Sequence, residues 1–303
     1  MTNQNARNVL AVNGKSFYWA SFFLGNDKAD DAAQLYKFCR FVDDLADGND
    51  ANKMQRLINV RHCLKDPSKS DSHELEVAAF LRLADRNKIP LIAACELLDG
   101  MLADQNPARF ITTEQLLRYC HAVAGTVGLM MCRVLGCQTS RADSFAIDLG
   151  IAMQLTNIAR DILEDSKMGR RYIPSNWLVL CESELSPSGW AEASPQMHTA
   201  IANGCEKLLD IAETYYASAM LGIHLLPWRS RFSINIALRI YRHIGRQLKR
   251  NGCAWWRGRV VVSALQKTRL SMFGLSALLP RRVPPHASEL HHSLRGLAGV
   301  IEH

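Results

Sequence analysis

The 303-residue sequence has nine cysteines but no Cys-x-x-Cys pair and no tight Cys/His cluster. An odd number of scattered thiols does not make a disulfide framework, so a reducing compartment is expected and a zinc site is not. Long apolar runs are also missing. Stretches such as residues 173–181 and 271–280 fall well short of the roughly 20 residues that cross a bilayer. The opening MTNQNARNVLAVNG lacks the apolar core of a signal peptide. A cytoplasmic protein is expected, with at most peripheral contact at the inner face of the cell membrane. Alternating apolar and polar runs bounded by turn residues are almost absent, which argues against strands. No dinucleotide fingerprint, solenoid repeat or long Pro/Gly/Ser linker occurs.

One further scarcity is local. Residues 229–303 hold 14 Lys/Arg but only Glu289 and Glu302 as acids, a balance of +12 within a chain of net charge +7. The residues before Arg229 therefore sum to −5. With 48% hydrophobic residues the chain has enough apolar surface to fold. Its positive net charge leaves nucleic acid, anionic lipid and phosphorylated substrates open as partners.

What is present is helical periodicity. Apolar residues recur at three and four, as in Leu75, Ala78, Ala79, Leu81, Ala84 and in Leu91, Ala94, Cys95, Leu98, Leu102. About ten helices with short connections are expected, in one all-α domain over residues 1–279. The Pro- and His-containing residues 280–303 are expected to form a loose, flexible tail.

Two segments carry the chemistry. In Tyr36-Lys-Phe-Cys-Arg40-Phe-Val-Asp43-Asp44-Leu-Ala-Asp47, positions 36, 40, 43 and 47 lie along one helix face, with Leu35, Phe38, Val42 and Leu45 on adjoining faces. In Gln154-Leu-Thr-Asn157-Ile-Ala-Arg160-Asp161-Ile-Leu-Glu164-Asp165, positions 154, 157, 161 and 165 share a face beside Ile151, Leu155, Ile158 and Ile162. Either stripe alone is what any surface helix shows. Like charges at i,i+4 repel, however, and two such aspartate pairs inside apolar helices point to hard cations held between facing carboxylates. Mg²⁺ suits such donors and is commonly shared with substrate phosphates, so a diphosphate is the natural bridging ligand. Replacing Asp161 by Asn is expected to leave stability unchanged or raised, because it relieves the repulsion.

At these residues the chain resembles the squalene and phytoene synthase family. Lys15-Ser16-Phe17, the two aspartate motifs, Tyr119-Cys-His-Ala-Val-Ala-Gly-Thr-Val-Gly128, Gly169-Arg-Arg-Tyr-Ile-Pro174 and the segment from Tyr241 to Arg259 carry the resemblance, in order, from about residue 10 to about 275. Asn13 and Gly14 stand where some relatives have a His and a Ser. The resemblance implies a single-domain isoprenoid synthase helical bundle around a central cavity. It also implies head-to-head condensation of two allylic prenyl diphosphates with Mg²⁺, or Mn²⁺ in its place.

Residue by residue, the resemblance assigns Asp43, Asp47, Asn157, Asp161 and Asp165 to the metal. It assigns Lys15, Ser16, Phe17, Arg40, Gln154, Asn157, Arg160, Arg170 and Arg259 to the substrate. Tyr36, Tyr119 and Tyr241 join Arg40 and the four aspartates as catalytic candidates. Within the family, two geranylgeranyl diphosphates giving phytoene through prephytoene diphosphate is the favoured reaction, as in carotenoid biosynthesis in bacteria. The alternative takes C15 farnesyl diphosphate to squalene, dehydrosqualene or presqualene diphosphate, and NADPH enters only if squalene is made. A non-catalytic assembly or binding protein on the same scaffold is a distant alternative, disfavoured by the intact carboxylates. A terpene cyclase is disfavoured by the second motif. A nucleic-acid binder is disfavoured because an acidic cavity lining has the wrong sign. The basic last quarter, Arg239, Arg242, Arg246, Lys249 and Arg250 followed by Trp255 and Trp256, is expected to rest on anionic lipid. The small residues Ala122, Gly125 and Gly128 suit either close helix packing or room for a prenyl tail.

Overall fold

The computed structural model describes residues 2–48, 50–67, 74–105, 108–274, 279 and 281–300. The chain forms α1 (Thr2–Asn13), α2 (Lys15–Ser21), α3 (Asn26–Asp47), α4 (Lys53–Lys65), α5 (Leu75–Asn87), α6 (Leu91–Ala103), α7 (Thr113–Cys120), α8 (Thr126–Val134), α9 (Asp143–Arg160), α10 (Ile162–Lys167), α11 (Pro195–Gly222), α12 (Trp228–Arg250) and α13 (Ala264–Phe273). Among the described residues there is no strand, only a single bridge between Arg109 and Arg171. The all-α expectation holds.

Among the described residues thirteen α-helices replace the expected ten or so, because the chain also breaks inside segments whose apolar periodicity continues. Gly14 separates α1 from α2, and a Cβ there would lie 2.9 Å from Leu10 and 3.0 Å from the Tyr36 ring. His121–Gly125 widen into a π turn between α7 and α8. Such one-turn expansions shift the register of the following helix and often mark functional sites. Asp161 sits between α9 and α10 with φ −106° and ψ 15°. Hydrogen bonds from Asp161 N to Asn157 O and from Asp165 N to Asp161 O, both 2.9 Å, keep the four-residue spacing across that kink.

α9 is the axis of the bundle. Thirteen of its 18 residues are buried, and it packs against α8, α11 and α12. Ile151, Leu155, Ile158 and Ile162 are at most 3% exposed, as are Leu35, Phe38 and Val42 of α3. The periodicity thus identified the inward faces of both motif helices. α8 and the π turn cross α9 at van der Waals distance through glycines. A Cβ on Gly128 would fall 2.2 Å from the Ala146 carbonyl oxygen, and one on Gly150 2.2 Å from that of Ala124. Both readings of the small-residue helix find support: backbones pack closely at these glycines, and Gly128 also lines the central cavity.

Residues 281–300 are not a loose tail. Asp148 of α9, fully buried, accepts hydrogen bonds from His291 Nε2 (2.7 Å), His286 Nε2 (2.8 Å) and the Ser218 hydroxyl. Glu96 accepts from Ala298 N (2.7 Å), Arg118 donates to Ser293 O (3.0 Å) and Tyr215 to Leu290 O (2.8 Å), while Leu294 is fully buried. Prolines and histidines read as a solvated end because the buried acid that recruits them lies 138 positions upstream. Burial alone would raise the Asp148 carboxyl, but the two imidazoles outweigh it and hold it below the ordinary carboxylate value.

Gly150→Ala is expected to lower stability by about 1–3 kcal/mol or more through overpacking. Gly189→Ala, where nothing lies within 4 Å of the added Cβ, serves as the control. Denaturant titration of both checks this; equal stability would show that the helix crossing relaxes freely.

Candidate active site

A cavity of about 270 Å³ runs along the bundle between α2, α3, α8, α9, α11 and α12, walled by Leu35, Val127, Met131, Phe145, Leu149 and Ile234 among others. Its few polar linings, Ser21, Ser233, Tyr36, Gln154, Asn157 and Tyr241, include residues of both aspartate motifs. Phe17, the one residue of the opening Lys-Ser-Phe on this wall, packs on Tyr241 (5.3 Å between ring centroids) and Tyr36 (6.4 Å). Burial, with Tyr241 adding, pushes the Tyr36 hydroxyl up to about 12, and burial also raises Tyr241. Both phenols are therefore neutral donors at physiological pH. Gly14 sits against the Tyr36 ring, so a serine in its place would require that ring and the end of Leu10 to shift slightly.

On α3, beyond Tyr36, the first motif turns outward. Arg40 donates to Asp43 (2.9 Å) and pairs with Asp44, while Asp47 accepts from Arg170 (2.7 Å). Asp44, which lies off the stripe, is therefore the second partner of Arg40. Burial raises the Asp43 carboxyl to about 6; Arg40 opposes this and Asp47 and Asp44 add to it.

At the kink after α9, Asp161 accepts two hydrogen bonds from Arg160 (2.8 and 2.6 Å) and two from Arg259 (2.7 and 2.6 Å). Burial pushes this carboxyl up, but the two guanidiniums prevail and hold it below its ordinary value. Arg160 is thus the partner of Asp161 rather than of Glu164. One turn on, Asp165 behaves oppositely: burial, followed by the charge of Asp161, raises it to about 7. Two aspartates of one motif are held at opposite ends of the carboxylate range because only one of them is clamped by arginine.

Arg170 brings the motifs together. Gly169 takes φ +74°, a left-handed turn that suits glycine. The chain then folds back, so that Arg170 N bonds Asp165 O (3.0 Å) while the guanidinium reaches Asp47. Its charge acts on Asp43, Asp104 and Asp165 as well. The neighbouring Arg171 is buried and serves the loop, donating to Phe110 O (2.9 Å) and Ile173 O (2.8 Å).

Tyr119 does not line the cavity. It donates to Asp104 (2.8 Å), which also accepts from Tyr172 (3.3 Å), and the two rings stack at 5.2 Å. Asp104 escaped sequence reasoning because a single acid just past an apolar helix has no spacing partner. Lys15 is exposed, but it is near enough to Lys267 of α13 to lower that ammonium further after its own burial. Ser16 is half-buried at the start of α2.

The basic last quarter is not the uniform cationic face that its composition promised. Lys249 pairs with Asp210 (2.6 Å) and Glu206 (3.3 Å), and Arg242 and Arg246 pair with Glu213 (2.6 and 3.5 Å), all on α11. Trp255 is 1% exposed, and Trp256 stacks on His198 at 4.4 Å.

The squalene/phytoene synthase family profile matches residues 10–266. The chain is 35% identical to a 15-cis-phytoene synthase of Enterobacter agglomerans, covering 92% of this chain and 96% of that protein. It is 34% identical to a 15-cis-phytoene synthase of Paracoccus sp. (strain N81106 / MBIC 01143), over 91% of each. The crystal structure of a dehydrosqualene synthase in complex with ligand superposes with a TM-score of 0.77 at 27% identity, covering 91% of this chain and 95% of that one.

In metal-free protein, Asp161→Asn is expected to cost about 1–3 kcal/mol at pH 7, because it leaves two guanidiniums without their acceptor. This reverses the gain expected from relieving repulsion alone. A lowered carboxyl stabilises the fold above its ordinary value and loses that stabilisation as pH falls through its folded value, so the deficit shrinks in strong acid. Asp165→Asn should do the opposite. The raised carboxyl increasingly destabilises the wild type as pH rises from its ordinary value to about 7. The variant is therefore expected to be more stable by on the order of 1 kcal/mol at pH 8 and little changed at pH 4. Urea melts of the two variants at pH 4 and 8 check both signs; parallel shifts would contradict the assignment.

Proposed function

The chain belongs to the squalene/phytoene synthase family, and from that premise we propose that it joins two geranylgeranyl diphosphates head to head. Prephytoene diphosphate is the intermediate, phytoene the product, and both diphosphates are released. The observation that carries the reading is the convergence of both aspartate motifs on Arg170, beside the polar rim of an apolar cavity. The C20 substrate is favoured over farnesyl diphosphate by the names of the bacterial relatives at about 35% identity.

The residues fit a hard divalent cation. Asp43, Asp47, Asp161 and Asp165 offer carboxylates, and the buried Oδ1 of Asn157 has no hydrogen-bond partner. Among the described residues, the group of three donors within 4.8 Å is Asp148, His286 and His291, engaged with one another in holding the C-terminal segment. Among the described residues the motif carboxylates form no such group of three, and one or two carboxylates together with substrate phosphates are the donor set that would hold Mg²⁺, or Mn²⁺. Such an ion would supply Lewis-acid stabilisation of the departing diphosphate.

The chain's own residues do the rest. Arg40, Arg160, Arg170 and Arg259 present guanidinium forks at the rim, the geometry that binds phosphate oxygens in pairs. Lys15, with Lys267 near it, adds positive charge at the same end as Phe17. Tyr36 and Tyr241 remain protonated and place hydroxyls and ring faces where the reacting allylic carbons would lie. The apolar walls keep water from the carbocation. Tyr119, held by Asp104 and Tyr172, is a positioning residue under Arg170 in this reading. The protein is cytoplasmic and touches the membrane peripherally; no helix among the described residues is long and apolar enough to cross it.

Purified protein supplied with Mg²⁺ and C20 or C15 allylic diphosphate, with and without NADPH, is expected to yield phytoene from the C20 substrate without NADPH, identified by mass spectrometry. Squalene or dehydrosqualene as the sole product would transfer the assignment to the C15 reaction, and absence of diphosphate release would overturn the enzymatic reading. Asp47→Asn is expected to lower kcat by roughly 100-fold or more, the scale of losing one charge-stabilising group.

A further inference from the structure

Apolar and cationic side chains collect on an outer face where the turn after α2 meets α12 and α13. Phe22, Trp228, Met272 and Phe273 are 65%, 59%, 69% and 58% exposed. The elements that carry them are packed together, α12 against both α2 and α13. Phe23 packs edge-on against Phe232 at 5.1 Å, one turn of α12 from Trp228. Gly274, next to Phe273, lies against Phe232, and Trp19 Nε1 donates to Ser271 Oγ (3.1 Å), tying α2 to α13. Large exposed apolar side chains gathered on adjoining elements mark an interaction site.

Cations surround the patch. Arg229 lies over Trp228 (5.1 Å) and Arg269 over Phe273 (5.9 Å). Asn235 donates to Gly274 O (3.0 Å) and also walls a cleft of about 330 Å³ with Arg239, Arg242, Arg281 and Arg282. Arg242 is paired with Glu213, but among the described residues no carboxylate pairs with Arg239, Arg281 or Arg282. The sequence has no Asp or Glu from Trp228 to Ser288, so none from this stretch can neutralise them.

Exposed aromatics beside unneutralised guanidiniums complement the two layers of an anionic bilayer, acyl boundary and phosphate headgroups. We propose that this face docks on anionic lipid, with a headgroup phosphate in the Arg239–Arg281–Arg282 cleft and Phe22, Trp228, Met272 and Phe273 entering the acyl boundary. Of the surface expected from the sequence it keeps Arg239 and Arg242 but not the stretch from Arg246 to Trp256, where Arg246 and Lys249 are paired with acids of α11 and Trp255 is buried. Ser21, Leu24, Leu226 and Ile234 line the catalytic cavity and neighbour the patch residues in the chain. On the proposed function, which this point rests on, a hydrocarbon product leaves the cavity beside lipid. The docking itself does not depend on catalysis.

The test uses full-length protein without metal or substrate, so that its outcome is separate from that of turnover. Co-sedimentation with phosphatidylcholine vesicles containing 30% phosphatidylglycerol is compared with pure phosphatidylcholine at about 0.1 M salt, where exposed charges more than about 10 Å apart are largely screened. Wild type is expected to prefer the anionic vesicles at least tenfold. Arg239→Gln/Arg281→Gln/Arg282→Gln should lose about 100-fold in affinity, at roughly fivefold per guanidinium. Trp228→Ala should weaken binding further, and Arg250→Gln/Trp256→Ala should bind as wild type, with melting curves confirming that each variant is folded. Equal binding to both vesicle types, wild-type binding by the triple arginine variant, or an equal loss in the Arg250/Trp256 variant would each overturn the proposal.

Discussion

Repulsion among half-buried carboxylates is the constraint around which this molecule is arranged. Asp43, Asp161 and Asp165 lie where burial removes water that would screen them, and Asp47 stands exposed one turn from Asp43. The fold answers with four arginines drawn from four places in the chain. Arg40 and Arg160 come from the motifs themselves, Arg170 from the loop after α10, and Arg259 from beyond α12. Their distribution is uneven, and that unevenness is chemically useful. Asp161 is clamped and ionised, while Asp43 and Asp165 are left with raised carboxyls.

A second constraint is steric. A dry cavity needs walls without gaps, and α9 is approached so closely by α8 and the π turn that glycine is required at Gly128 and Gly150. Polarity then falls off steeply within one helix: Asn157 faces the rim, Leu149 the dry interior, and Asp148 points away to hold the C-terminal segment. That segment buttresses the helix that carries the second motif. Charge follows a similar division on the outside, where cations of α12 facing α11 are neutralised and those facing α13 and Arg281 are not.

Much of the site was legible because it is local. Four-residue spacing, the apolar faces of α3 and α9, and the choice of carboxylate, amide and guanidinium are set within a single helix turn, and these appear in the structure as read. Less legible were features that depend on a partner elsewhere. Asp161 looked like a source of repulsion until Arg259, 98 positions away, was found on it. Asp104 gave no signal alone, and the catalytic candidate Tyr119 is hydrogen-bonded to it, away from the cavity lining.

The sequence by itself determined the helical class, the two acidic motifs with their inward faces, and the surplus of cations after Arg229, because hydrophobic periodicity and composition are properties of short segments. Only the tertiary structure decided which arginine answers which aspartate, that the chain kinks at Asp161, and that His286 and His291 are held on the buried Asp148. It also decided which of the late cations remain free. Each of these depends on contacts between segments tens to hundreds of residues apart, and burial changes the meaning of a charge only once its neighbours are known.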